Sequence, residues 1–225
     1  MTSARFSIHS FQLPEVVSIQ TRIEYHVDAI IKNLPEPEQL APEQRRGIIA
    51  RYTAVLEGNF IYWMTGAYLA VRSDLSREIL RKNLTEEVRD CHPGMLRRFA
   101  VAAGGYPRDS DALAITSDLS RVRLFIGRLS PTGIVVMMAF FECFIQRFMA
   151  YLQELAKLQG SDEREYTDVH GVCDIEHTQE LFRSVGEEIA IRGTNPDADP
   201  MEGVGLLIAL IQSIVAHQSS AAVAA

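Results

Sequence analysis

The sequence predicts an all-α protein, a single-domain bundle of seven or eight helices, and three observations carry that expectation. Apolar residues recur at three- and four-residue spacing through almost every segment, as they do in helices that set one face on a core. Alternating apolar and polar runs bounded by Asn-Gly or Asp-Gly turns are missing, so no strand is expected. Pro and Gly fall in clusters that cut the chain into pieces of helical length.

The elements follow from these breaks. A first helix is expected over 14–33, ended by the Pro35–Pro42 segment, and a long second one over 43–73. Helices over 75–90 and 93–103 meet at Cys91–Gly94, where Pro93 suits a first helical turn. Gly104–Pro107 precedes a helix over 109–129, Ser130–Gly133 one over 133–159, Gly160–Asp162 one over 163–192, and Gly193–Pro200 a last one over 201–217. Residues 219–225 read as a frayed tail. With 225 residues, 47% of them hydrophobic, and no repeat or shift in composition, the whole chain is expected to be one domain.

Composition narrows the function. The net charge is −7 and the pI about 5.4, with Lys and Arg scattered, so no basic face is expected to bind nucleic acid. The first residues lack a signal-like apolar core, and the longest apolar run, Ile134–Phe141, falls short of the roughly 20 residues a bilayer span needs; a cytoplasmic protein without membrane contact is expected. Cys91, Cys143 and Cys173 are odd in number and widely spaced, which gives neither a disulfide framework nor a CxxC zinc pattern.

Four segments carry groups suited to chemistry. In HGVCDIEH, His170, Asp174 and His177 stand at i, i+4 and i+7, within a wedge of roughly 60 degrees on one helix face. Two imidazoles and a carboxylate converging there suit iron, manganese or zinc; equally, they suit ordinary surface or hydrogen-bonded histidines with Asp174 as a helical charge partner. In GIVVMMAFFECFIQRF, Glu142 is the lone charge on a helix apolar on nearly every side, a costly placement unless a cation compensates it. That cation is a metal, or an arginine such as Arg147 or Arg128, unless the acid stays protonated. Glu57 stands alone between Arg51 and Arg72 and shares its face with Ile61, Met64 and Tyr68, so it is expected to point inward, although Gly58 and Asn59 beside it suit a wetter stretch. In NLTEEVRDCHPG, His92 opens a helix, and Glu86, Glu87 and Asp90 precede it; consecutive helical residues diverge by about 100 degrees, so one of Glu86 and Glu87 is expected to reach a shared centre. Three histidines and four carboxylates from four helices are the means by which a helical bundle builds a dinuclear iron site. A ferritin-like bundle would show two Glu-x-x-His pairs; this chain has only Asp174-x-x-His177.

The order of these segments resembles the heme-oxygenase-like diiron oxidases and oxygenases, relatives of the thiaminase and PQQ-synthase fold. That family carries a Glu on an early core helix, an NLxxE segment before a His-Pro helix start, a lone Glu on a central apolar helix, and HxxxDxxH. All four occur in order here between Glu57 and His177, although the gap from NLxxE to the histidine is shorter than is usual in the pattern. The resemblance implies metal ligands Glu57, Glu87, His92, Glu142, His170, Asp174 and His177, with Glu87 preferred over Glu86. It also implies two Fe(II) ions per chain, O2 as co-substrate, and attack on an unactivated C–H bond or an amine of a small molecule. An amino acid of specialised metabolism is the favoured substrate, with desaturation, fragmentation, ring closure or N-oxygenation as outcomes; fatty-acid decarboxylation is the alternative. An external electron donor and a homodimer fit the same resemblance. Phe60, Trp63, Met64 and Phe141 are candidates for the substrate pocket and equally for plain core, and Arg147 or Arg121 for the counter-charge of an amino-acid carboxylate. Two competing readings remain: a metal-independent thiaminase- or PQQ-synthase-like enzyme using the same histidines as acid-base groups, and a heme-binding protein using His26.

Overall fold

The computed structural model describes residues 13–192 and 199–216, with the side chains at 172–174 and 192 excepted; the expected tail over 219–225 and the side chain of Asp174 lie outside the described residues. Eight α-helices follow one another: α1 Pro14–Lys32, α2 Pro42–Ala70, α3 Asp74–Arg89, α4 His92–Ala102, α5 Asp109–Ile126, α6 Pro131–Leu158, α7 Glu165–Arg192 and α8 Glu202–Val215. A short 3-10 turn, Pro37–Gln39, bridges α1 and α2, and no strand occurs among the described residues.

Local chemistry sets the ends of these helices. Proline stands in the first turn of α1, α2, α4 and α6, where its missing N–H costs nothing. α2 stops at Ala70, earlier than expected from the sequence, because Val71 and Ser73 are extended. The Ser73 hydroxyl then accepts from Leu75 N and Ser76 N to start α3. Glu188 of α7, itself buried, secures this corner by accepting from the backbone N–H groups of Arg72 and Ser73.

α6 is the axis of the bundle. Every residue from Thr132 to Ile145 is buried, and α7 lies along it with the most extensive contact, while α1, α2 and α8 pack on its other sides. By length and composition α6 could cross a membrane, which the short run Ile134–Phe141 did not suggest; 83% of its most apolar window is buried inside the protein. α3 and α4 close over α2 and α7, and α5 pairs with α2 and α8. α8 approaches closely because of Gly203: a Cβ there would lie 2.6 Å from the Phe125 ring and 2.9 Å from Met137 Cβ. Two buried arginines of α2 tie the far helices. Arg46 forms a two-pronged pair with Asp111 of α5, and Arg51 donates to the Ile214 and Ala216 carbonyls at the end of α8.

Candidate metal centre

The centre lies where α3, α4, α6 and α7 meet, and the α3–α4 junction is its local key. α3 ends at Arg89 and α4 begins at His92, so the chain must reverse within two residues. Cys91 does this in the left-handed region, at φ 57° and ψ 44°, a conformation that costs a non-glycine residue roughly 1–2 kcal/mol. Its thiol folds over Gly94, where a Cβ would lie 2.7 Å from Cys91 Sγ. The tight turn explains the short gap between the glutamates and the histidine: it brings Glu87 Oε1 to 2.8 Å from His92 Nδ1, with both side chains buried.

His170 of α7 completes this first group. Its ring meets His92 edge to face with centroids 4.6 Å apart, and the potential ligand atoms of Glu87, His92 and His170 all lie within 4.8 Å of one another. Metal–nitrogen and metal–oxygen bonds run about 2.0–2.2 Å, so donors around one ion stand up to roughly 4.3 Å apart; the group needs only a small contraction to close on an ion. A small cavity opens beside it, walled by Leu56, Phe60, Leu96, Ile145 and Tyr166.

A second group sits two helical turns along α7. His177, buried, places Nε2 3.0 Å from Glu86 Oε2 and Nδ1 4.0 Å from Glu142 Oε2. Glu142 is 2% exposed, deep on the central helix. The arginines that might have balanced it are committed elsewhere: Arg147 pairs with Asp28 and Arg128 with Glu202. A carboxylate oxygen and an imidazole nitrogen 4.0 Å apart span about two metal–donor bonds. The donor set, imidazole and carboxylate without thiolate, suits iron, manganese or zinc.

Several expectations change here. Both Glu86 and Glu87 reach the centre, because α4 and α7 approach α3 from different sides and each glutamate meets a different histidine. Glu57 does not turn inward in this structure; it pairs with Arg97 of α4, and its side chain is 20% exposed. Asp174 shares α7 with His170 and His177, but its side chain is outside the described residues. Phe60 lines the cavity, whereas Trp63, Met64 and Phe141 are wholly buried core, Trp63 and Phe141 packing at 5.2 Å between ring centroids. Arg121 is taken up by Asp118, and His26 lies on α1 against Tyr25, apart from both groups. The sequence reading also passed over Tyr166, one turn before His170 on the same face. Its ring packs on His170 at 4.5 Å, and its hydroxyl lies 2.8 Å from that of Tyr52; the i, i+4 spacing was the available signal.

The fold is an all-helical bundle that gathers buried histidines and glutamates from four helices into a candidate metal site in its core. The chain matches the iron-containing redox enzyme family, which is heme-oxygenase-like, over residues 49–211, and it belongs to that family. The matched span runs from α2 into α8 and contains every element of the centre. No curated protein and no solved structure matches the chain. The protein is therefore an oxidoreductase of the iron-containing redox superfamily, with an all-α fold.

Proposed function

We propose that the protein is a non-heme diiron oxidase or oxygenase that uses O2 to oxidise a small molecule. The observation that carries this reading is the pairing of two buried donor groups, Glu87 with His92 and His170, and His177 with Glu142, joined through the consecutive residues Glu86 and Glu87 on α3 and the two-turn spacing on α7. Each group is suited to one ion, and Asp174, between the two histidines on α7, is placed by sequence to serve the second. Glu57 would join by exchanging Arg97 for the centre. Iron, when bound, supplies the capacity to reduce O2 and to abstract hydrogen from an unactivated bond.

The remaining tasks fall to the chain. Buried Phe60, Leu96 and Ile145 exclude bulk water from the cavity beside the first group, and His92 and His170 present their rings to it. The preferred substrate class is an amino acid of specialised metabolism, with a fatty acid second; the cavity, about 20 Å³, would have to widen to admit either. An external electron donor, a homodimer and a cytoplasmic setting are part of the same proposal. The deciding experiment is anaerobic loading with Fe(II), counting iron per chain, then adding O2 and recording the visible spectrum. About two irons and a new visible band support the reading. About one iron would reduce it to a mononuclear site, and none under any loading condition would return the histidines to acid-base chemistry.

A further inference from the structure

The two histidines that meet the paired glutamates do so through different ring nitrogens. Glu87 takes His92 at Nδ1, at 2.8 Å, while Glu86 takes His177 at Nε2, at 3.0 Å. An ionised carboxylate can only accept a hydrogen bond, so the nitrogen it touches carries a proton, and in the neutral ring the other nitrogen keeps its lone pair. On His177 that other nitrogen, Nδ1, is the one turned toward Glu142 Oε2 at 4.0 Å. On His92 it is Nε2, on a ring set edge to face against His170.

We propose that Glu86 is a positioning residue that holds His177 in its Nε2-protonated tautomer, so that the centre receives Nδ1 from His177. This rests on the metal-centre reading for its purpose but not for its geometry. The physical origin is the α-helix itself. Residues 86 and 87 point about 100 degrees apart, which directs one carboxylate toward α4 and the other toward α7. Glu86 is the more exposed of the two, with its side chain 28% accessible against 5% for Glu87. It therefore sits at the outer edge of the second group, with His177 between it and Glu142. A carboxylate behind a ligating histidine fixes the ring's orientation and tautomer and raises its basicity, and losing such a partner typically weakens metal binding about 10- to 100-fold.

The test begins with metal-free protein labelled with 15N in its histidines, where two-bond 1H–15N correlations report the tautomer of each ring. His177 and His92 are assigned by the disappearance of their signals in His177→Gln and His92→Gln. The expected result is Nε2 protonation for His177 and Nδ1 protonation for His92. Glu86→Gln keeps an acceptor oxygen and should keep the His177 tautomer, while Glu86→Ala should release it toward a mixture. Cobalt(II) titration then separates positioning from ligation. Glu86→Gln should bind within a few-fold of the wild-type protein and Glu86→Ala about 10- to 100-fold more weakly. The inference is overturned by a His177 ring protonated at Nδ1 or at both nitrogens, by an unchanged His177 tautomer in Glu86→Ala, or by a Glu86→Gln protein that binds cobalt as poorly as Glu86→Ala, which would make Glu86 a ligand. A wild-type protein that takes up no cobalt overturns the metal centre instead, and the tautomer measurement still decides the role of Glu86.

Discussion

Replacing Glu142 by Gln should make the metal-free protein more stable and halve the stabilisation that a bound metal adds. Glu142 is 2% exposed on the central helix, Arg147 and Arg128 are engaged by Asp28 and Glu202, and the nearest ring nitrogen of His177 stands 4.0 Å away. Removing a charge from such a place relieves a desolvation cost of several kcal/mol, of which about 1–2 kcal/mol should survive relaxation and the polarity of the new amide. For a chain of this size that raises the melting temperature by about 2–8 °C. An ion at about 100 times its dissociation constant should add about 2.7 kcal/mol to the wild-type protein, or about 5–11 °C. A tenfold loss of affinity in Glu142→Gln should remove about half of that gain. Melting each protein with and without Co(II) or anaerobic Fe(II) should therefore show a metal-induced rise that is smaller in the variant by about 1.3 kcal/mol, or about 3–5 °C. An equal metal-induced shift in both proteins would refute a ligand role for Glu142. A metal-free variant less stable than wild type by more than about 1 kcal/mol would show that the carboxylate holds the fold rather than an ion.

Arg97→Gln frees Glu57 from its surface ion pair and should tighten cobalt binding up to about fivefold, the worth of an exposed pair, whereas Glu57→Gln should weaken it; equal affinities by titration would leave Glu57 outside the centre. Leu129 stands at φ 52° after α5 and is 46% exposed, so Leu129→Gly should stabilise the protein by about 1 kcal/mol, seen as a melting rise of about 2–4 °C. Asp111 is the acid whose titration should show in the pH dependence of stability. Burial pushes its carboxyl upward, but hydrogen bonds from Arg46 and from the Arg108 backbone N–H outweigh that and hold it below the ordinary carboxylate range. A depressed carboxylate stabilises the fold above its unfolded value, near pH 3.9, and loses that contribution as the pH falls through its folded value. Asp111→Asn should cost about 2 kcal/mol at pH 7 and flatten the acid end of a denaturation series, while a parallel pH dependence in both proteins would contradict the assignment.

The fold was largely legible because helix periodicity and proline placement are local properties. All eight helices among the described residues lie within a few residues of where the apolar spacing and the breaks put them, and one of the two largest departures, the early stop of α2, comes with a contact no local pattern shows: Glu188 of α7 capping the Arg72–Ser73 corner. The centre was legible where burial alone decides. A lone carboxylate on a helix apolar all round, Glu142, was expected inside and is buried; His170 and His177, which their spacing put on one face without deciding its burial, are buried too.

What the sequence hid depends on neighbours across space. Glu57 shares its helix face with core residues, but a surface arginine on α4, forty residues away, decides its direction. Glu86 and Glu87 could not both serve one partner, yet both serve the centre, since two helices approach α3 at angles matching the divergence of consecutive side chains. Bringing α4 that close requires Cys91 in a conformation that residue rarely adopts, and nothing in its identity announces it. The strain at Cys91 falls at the same junction that sets Glu87 against His92, so the costly backbone conformation and the candidate centre share one place in the molecule, as strained residues at functional sites do.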